Sequence, residues 1–288
     1  DRINISFSHG EDYVQAETEI DSRKSFWGFL DSWWGDDDVK VDYQVFMPET
    51  ANLNVEHKYG NVEIEDISGR ADIALKYGNL TMDHAAGELT LDLAYGNGVV
   101  AKANQTRADI AYFKLRINDA NTVTIDSKYS KINIGSANEI IAESAYDGYE
   151  LGDIGILRNE GKYDKFDVGK LEELAIETKY TTINIDELTI GLDAELSYGG
   201  LTVEQIGNGF DHIVVQSRYT GLEFDVQAVD AYHVDLKGRY TGIRVPDGLT
   251  VTREISDGNN IEIKGYKRSE SGPGSISVDA EYGGLKIR

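Results

Sequence analysis

Runs in which apolar and polar residues alternate at every second position recur along most of the chain, each with a tyrosine near its middle. Before Tyr180, Leu174 and Ile176 stand six and four positions ahead of the ring, and Ile183 and Ile185 follow it by three and five. Alternation at period two is typical of a β-strand with one buried face. The phase shifts by one residue just after the tyrosine, which indicates a corner joining two short strands.

The tyrosine marks a repeat of 17 to 21 residues. Its spacing doubles once, to 42 residues between Tyr240 and Tyr282, which predicts a coil that has lost its tyrosine. A single coil cannot bury its own apolar face, whereas stacked coils pair their strands in parallel and share a continuous core. We therefore expect a structural ladder of rings along one corner, formed by Tyr59, Tyr77, Tyr95, Tyr112, Tyr129, Tyr146, Tyr163, Tyr180, Tyr198, Tyr219, Tyr240 and Tyr282.

These repeats predict an all-β protein whose main body, residues 49–288, is a single-stranded parallel β-helix (a solenoid) of about 12 short coils. With about 4.8 Å per coil, the stack extends roughly 55–60 Å. Right-handed winding is expected because parallel β crossovers are overwhelmingly right-handed. Residues after the tyrosine, such as Gly60 and Asn61, are predicted to supply the positive φ that a sharp corner requires.

Residues 1–48 are predicted to form an N-terminal β cap with a tryptophan-rich insert. Alternation over residues 3–7 and 14–18 predicts two strands, and alternation over 39–45 predicts a third. All three tryptophans of the chain lie between them. The insert has two interpretations: a hydrophobic plug over the first coil, or a patch that binds a sugar, a lipid surface or a partner protein through Trp27, Trp33 and Trp34.

The C-terminus reads differently, because Leu285 and Ile287 complete the core pattern of the last coil and the sequence ends at Arg288. No C-terminal cap is recognisable after them. The last coil is therefore predicted to form an open end of the solenoid, with weak end-to-end self-association at that coil.

Acidic residues outnumber basic ones by 51 to 28, and the net charge is −23. Such a field repels nucleic acid and anionic membranes. Two positions of the repeat carry most of the pattern: an acidic stripe three residues before the tyrosine and a basic stripe one residue before it. The acidic stripe is Glu56, Asp92, Asp109, Asp126, Glu143, Glu160, Glu177, Glu195 and Asp279, and the basic stripe is Lys58, Lys76, Lys128, Lys162, Lys179, Arg218 and Arg239.

The stripes also have two interpretations. In the structural one, each stripe relieves the repulsion among the like charges of the other, and each exposed pair contributes about 0–1 kcal/mol. In the functional one, they form a recognition face for a charged polysaccharide or for calcium. Calcium requires several converging carboxylates, which a single-file stripe does not guarantee, so no cofactor is assigned and calcium stays open.

Sequence motifs of catalysis are missing. The chain has no cysteine, its five histidines do not show metal-ligand spacing, and no nucleophile elbow or phosphate loop is recognisable. No apolar run approaches the ~18 residues of a transmembrane helix. Short coils leave little chain to build a cleft, so a non-enzyme is predicted, although carboxylate pairs leave a carbohydrate-active enzyme as an alternative.

A family resemblance adds to this picture. The segment Tyr43–Pro48, the coil Leu53–Val62 with its Tyr-Gly-Asn-Val corner, and the next coil, Gly69–Leu80, with Tyr-Gly-Asn-Leu, resemble the bacterial adhesin family of repetitive cell-envelope β-solenoids, common in Bacteroidetes-type bacteria. The resemblance covers residues 39–288. It implies export, a parallel β-helix and an adhesion role, and it supplies no catalytic residues.

The resulting expectation is a non-enzymatic, exported protein that is periplasmic, outer-membrane-associated or on the cell surface. Its partner would be a polysaccharide or a surface protein bound along the solenoid faces. An N-terminal Asp1 rather than Met agrees with a processed chain. The alternatives are a structural or regulatory envelope module without a ligand, and the carbohydrate-active enzyme.

Overall fold

The computed structural model describes residues 2–21, 41–269 and 272–288, all of them β-strand or irregular chain. Contacts divide the chain into two units, of which the first ends at Phe46 and the second begins at Met47. The predicted tryptophan-rich insert, with Trp27, Trp33 and Trp34, lies outside the described residues, so both interpretations of it stay predictions.

The first unit contains a two-stranded antiparallel hairpin, β1 (Arg2–His9) and β2 (Val14–Asp21). Alternation places Ile5 and Phe7 opposite Thr18 and Ala16, as expected for two paired strands. The third predicted strand is wrong for the part described, because residues 41–48 adopt no strand.

The second unit is a parallel β-solenoid, which confirms the predicted fold class. Strands from successive coils pair in register at the spacing of the repeat; Glu143, for example, pairs with Glu160, and Glu160 with Glu177. The strands of the regular part are β3 (Leu53–Lys58), β4 (Asn61–Ile67), β5 (Ala71–Lys76), β6 (Asn79–Lys128), β7 (Lys131–Ala145), β8 (Gly148–Lys162), β9 (Lys165–Lys179), β10 (Thr182–Val203) and β11 (His212–Phe224).

The core runs along the inside of this stack. Leu174, Ile176, Ile183 and Ile185, the four positions read from the Tyr180 coil, are each at most 5% exposed. Because the side chains of every coil point to the same interior, each layer buries the apolar face of its neighbours. The two-residue alternation therefore locates the core correctly.

The corner of each coil departs from the sequence-based expectation. The residue with positive φ is the tyrosine itself, with φ between 52° and 62° in all twelve ladder positions, whereas Gly60 and Asn61 are not in this region. Glycine is needed next to some corners for another reason: a Cβ on Gly78 would lie 1.8 Å from the carbonyl oxygen of Gly60 in the preceding coil. The prediction that glycine and asparagine supply the positive φ is thus wrong.

A left-handed conformation costs a non-glycine residue about 1–2 kcal/mol. The ladder compensates, since the twelve rings stack in one column with centroids 4.7–5.1 Å apart and planes within 12° of parallel. Each stacked pair contributes about 0.5–1.5 kcal/mol beyond burial, which is the same size as the strain. Stacking and corner geometry therefore depend on each other.

The C-terminal part has a different strand order from its chain order. It contains β12 (Tyr232–Arg239), β13 (Gly242–Arg244), β14 (Thr250–Asp257), β15 (Asn260–Lys267), β16 (Gly274–Glu281) and β17 (Gly284–Ile287). The order in the sheet is β14-β15-β12-β16-β11, so the last coil of the chain lies between the two coils that precede it. In the ring column, Tyr282 accordingly stacks between Tyr219 and Tyr240.

Two predictions about this end are wrong. The residues between Tyr240 and Tyr282 do not form a coil without tyrosine: β14 and β15 form a hairpin that pairs antiparallel with β12 and covers it. The last coil is not an open end either, because Leu285 and Ile287 are 2% exposed.

End-to-end self-association stays a prediction, but the last coil is not the open end at which it was expected. Two described strands at this end, β13 and β14, have a neighbour on one side only. Of these, β14 carries a register irregularity between Val251 and Arg253 and is exposed along its whole length. Irregularities and charges on an edge strand oppose pairing with another molecule.

Substitution in the middle of the column separates stacking from backbone strain. Tyr163→Ala removes two ring contacts and keeps the strained φ, so we expect it to lower the free energy of unfolding by about 1–3 kcal/mol. Tyr163→Gly loses the same contacts but relieves the strain, and we expect it to be about 1 kcal/mol more stable than Tyr163→Ala. Denaturant unfolding of both variants, with Tyr163→Phe as the control, measures the difference. Equal stability of the alanine and glycine variants would contradict strain at this corner.

Candidate binding face

The exposed edge of the tyrosine column is the most regular feature of the solenoid surface. Its rings are 39% to 71% exposed although each interior ring has a neighbour on both faces. Ring faces are therefore covered, and the edges and hydroxyl groups reach solvent. Along its length the column offers a row of hydroxyls spaced by one coil, rather than a platform on which a sugar ring could stack.

The acidic stripe forms a row in direct register beside this column. Asp126 pairs with Glu143, Glu143 with Glu160, Glu160 with Glu177, and Glu177 with Glu195, and all five side chains are exposed. In-register pairing holds these carboxylates one strand spacing apart, about 4.8 Å between backbones. Like charges directly opposite each other on neighbouring strands are destabilising, so this row costs stability.

The basic stripe does not neutralise that row by direct contact. Among the described residues, no ion pair within 4 Å joins a member of the acidic stripe to a member of the basic stripe. Arg218 and Arg239 pair instead with Glu281 of the inserted last coil. The structural interpretation of the stripes, in which each relieves the other, lacks these contacts.

A shallow groove runs beside the acidic row across β7 to β11. Its volume is about 540 Å³, and one side is lined by Glu143, Glu160, Glu177 and Glu195. Apolar side chains lie along it as well: Ile141 is 39% exposed and Val214 38% exposed. Apolar contacts with a few polar groups are the usual composition of a ligand site. The groove can therefore accept an extended ligand with apolar surface and positive charges.

One histidine contacts a residue that lines the groove. In His212, Nε2 lies 3.1 Å from a carboxylate oxygen of Asp193, and Nδ1 lies 3.1 Å from one of Asp211. Partial burial opposes the charged ring, but the hydrogen bonds to Asp211 and Asp193 outweigh it and raise the pKa of His212. Asp193, which also lines the groove, is thus held by a hydrogen bond to this ring.

Metal binding has limited support in this arrangement. The described part of the chain contains no group of three or more histidine, aspartate or glutamate side chains placed to hold one ion. Carboxylates of the acidic row follow one another in single file, so an ion between two coils would take its ligands from adjacent rungs. In the same part of the chain, no helix has the length and apolar character needed to cross a membrane.

Comparisons with known proteins return nothing: no family model matches the chain, and neither curated proteins nor solved structures give a significant match.

Two carboxylates lie buried under the tyrosine corner, where the sequence analysis singled out none. Asp147 and Asp164 follow Tyr146 and Tyr163 directly and are 4% and 5% exposed. Each carboxylate accepts a hydrogen bond from a backbone N–H of the preceding coil. Asp147 accepts from the N–H of Ser130 at 2.6 Å, and Asp164 accepts from the N–H of Asp147 at 2.8 Å. They satisfy corner amides that no strand neighbour reaches.

Hydroxyl groups complete this buried network. Ser127 donates to Asp147 at 2.8 Å, and Ser144 donates to Asp164 at 2.8 Å. A position directly after the tyrosine that holds Asp, Ser or Thr in successive coils is the signal that could have revealed it. Burial raises the pKa of Asp147, and it raises the pKa of Asp164 to about 6.

Burial of Asp164 predicts a pH dependence of stability. Its folded pKa of about 6 exceeds the unfolded value of about 3.9, so the folded state binds more protons between these values. The contribution of Asp164 to stability is complete below pH 4 and is lost as pH rises through 6. Its loss amounts to about 2–3 kcal/mol.

The variant Asp164→Asn removes this titration. Between pH 4 and 7, we expect the unfolding free energy of wild type to fall by about 2–3 kcal/mol relative to that of Asp164→Asn. The matched control is Asp167→Asn, since Lys165 lowers the pKa of the partly buried Asp167 and moves its titration to more acidic pH. A difference that stays constant over this range for Asp164→Asn would refute the assignment.

Proposed function

We propose that this protein is a non-enzymatic, exported envelope protein that binds a linear polymer with repeated positive charges, an amino-sugar polysaccharide, along the acidic row and its groove. The observation that carries the proposal is the in-register run from Asp126 to Glu195, whose carboxylates have no ion-pair partner within the described residues. A row of unpaired like charges costs stability, and a cationic ligand would recover that cost.

The chemistry of the groove supports an amino sugar in particular. Its apolar side chains, Ile141 and Val214, can pack against the C–H faces of the sugar rings. The carboxylates of Glu160 and Glu177 can form ion pairs with the amino groups. Repetition matters more than any single contact. Once one sugar unit is bound to one carboxylate of the row, the next unit of the same polymer is held at a high effective concentration near the next carboxylate. Weak exposed ion pairs can then add up to useful affinity.

Export and an adhesion role are part of the same proposal. They are supported by the resemblance of the Tyr-Gly-Asn coils at residues 53–62 and 69–80 to envelope adhesins. Trp27, Trp33 and Trp34 are a separate proposed contact, for a sugar, a lipid surface or a partner protein.

A polymer panel tests this function. It comprises glucosamine oligomers, their N-acetylated neutral counterparts and an acidic polygalacturonate, each assayed for retention and for product release, with and without calcium. We expect retention of the glucosamine oligomers without product release. Retention of polygalacturonate alone, and only with calcium, would contradict the polycation and point to a calcium-bridged acidic polymer as the ligand. Released product would support the carbohydrate-active enzyme. No retention of any polymer would favour a structural module.

Variants locate the contact. Glu160→Gln combined with Glu177→Gln removes two adjacent charges of the row, and at about 0.2–1 kcal/mol per exposed pair we expect roughly 2- to 30-fold weaker binding. Glu172→Gln combined with Asp186→Asn removes the same charge from exposed residues outside the row and should leave binding unchanged. Equal loss in both double variants would show that net charge, and not the row, attracts the ligand. Trp33→Ala combined with Trp34→Ala tests the second contact.

A further inference from the structure

The last coil of the chain fills a gap that the rest of the solenoid leaves open. Strand β16 pairs in parallel with β11 on one side and with β12 on the other, and β17 pairs with β11 and β13. Without this coil, β11 and β12 would lie two strand spacings apart, about 9.5 Å, with unpaired backbone groups on both walls. The gap is therefore a slot for one extended strand.

The slot selects its strand by packing. Ile276, Val278, Leu285 and Ile287 are each at most 2% exposed inside it. Tyr282 completes the ring column, 4.9 Å from the ring of the coil on either side. Because the alternation of the segment matches the core on both sides, a shift by one residue would turn every apolar side chain outward.

Ion pairs fix the C-terminal end of the inserted segment. Arg288 lies 2.7 Å from Glu204, 2.9 Å from Glu223 and 3.2 Å from Asp225, and Lys286 lies 2.8 Å from Glu223. The backbone of Arg288 also bonds to Phe224 and Val226, at 3.0 and 2.8 Å. These acidic residues belong to the two coils before the slot, so the end of the segment is recognised by charge as well as by shape.

Both walls of the slot, β11 and β12, precede this segment in sequence, and the segment pairs with both of them. None of its contacts in the slot depends on being joined to the same chain.

We propose that the slot is a binding site for the C-terminal segment, residues 272–288, of a second copy of this protein, so that copies exchange their last coil. The exchanged segment makes the contacts described above in its new host. A chain's own segment has the advantage of a high effective concentration, so exchange grows with protein concentration during folding. This inference is independent of the polymer-binding proposal.

Single cysteines report exchange between copies of this 288-residue chain, which has no cysteine of its own. Val214 of β11 pairs with Ser277 of β16, and both side chains point outward at a backbone separation suited to a disulfide. Val214→Cys and Ser277→Cys, placed on separate chains, become neighbours only if the last coil of the second chain occupies the slot of the first. The two variants are unfolded, mixed, refolded together at high concentration and oxidised.

We expect a mixed disulfide dimer several-fold more abundant than in a mixture of Ile141→Cys with Ser277→Cys, which reports random collision of exposed thiols. Its yield should rise with protein concentration. A chain that carries both Val214→Cys and Ser277→Cys, oxidised before mixing, should form no dimer. A second pair in the same register, Gln216→Cys with Asp279→Cys, replaces the first if either variant fails to refold. Dimer at or below the random level with a pair that refolds would overturn the proposal.

Discussion

The structure depends on one repeated constraint: a tyrosine in the left-handed conformation at the same corner of every coil, stacked on the tyrosine of the next. The φ of 52° to 62° at these positions is unfavourable for an aromatic residue, and stacking on one or two neighbouring rings offsets that cost. Stacking at 4.7–5.1 Å matches the spacing of parallel strands. The corner therefore sets the register of the coils, and through the register it sets every other row of side chains.

Rows of charge follow directly from that register. Once Tyr146 stacks on Tyr163, Glu143 must lie opposite Glu160, and the repulsion between them cannot be avoided by sliding one strand. Inside the corner the same register places Asp164 one coil away from the amide of Asp147, where it satisfies a buried donor. An outer row that costs stability and an inner row that provides hydrogen bonds thus have one geometric origin.

Much of this could be read from the sequence, since period-two alternation and the tyrosine spacing depend on local geometry alone. The core positions around Tyr180, the parallel stacking and the acidic row were predictable for that reason. The order of the last coils was not, because Tyr282 fits the column equally well beyond Tyr240 or before it, and only pairing between distant segments decides. The positive φ was assigned to Gly60 on intrinsic preference, whereas stacking overrides that preference at Tyr59. The groove could not be foreseen, because Ile141 and Val214 are 73 residues apart in sequence and meet only through the stacking of coils.

The central claim is that a repetitive row of carboxylates binds a repetitive cation, and the dependence of affinity on ligand length tests it most directly. The in-register row from Asp126 to Glu195 extends over four strand spacings, about 19 Å. Affinities of glucosamine oligomers of increasing length, measured by calorimetry at constant salt, should rise with each added unit and level off when the oligomer spans the row. Affinity that is independent of length, or equal for the acetylated series, would contradict the account.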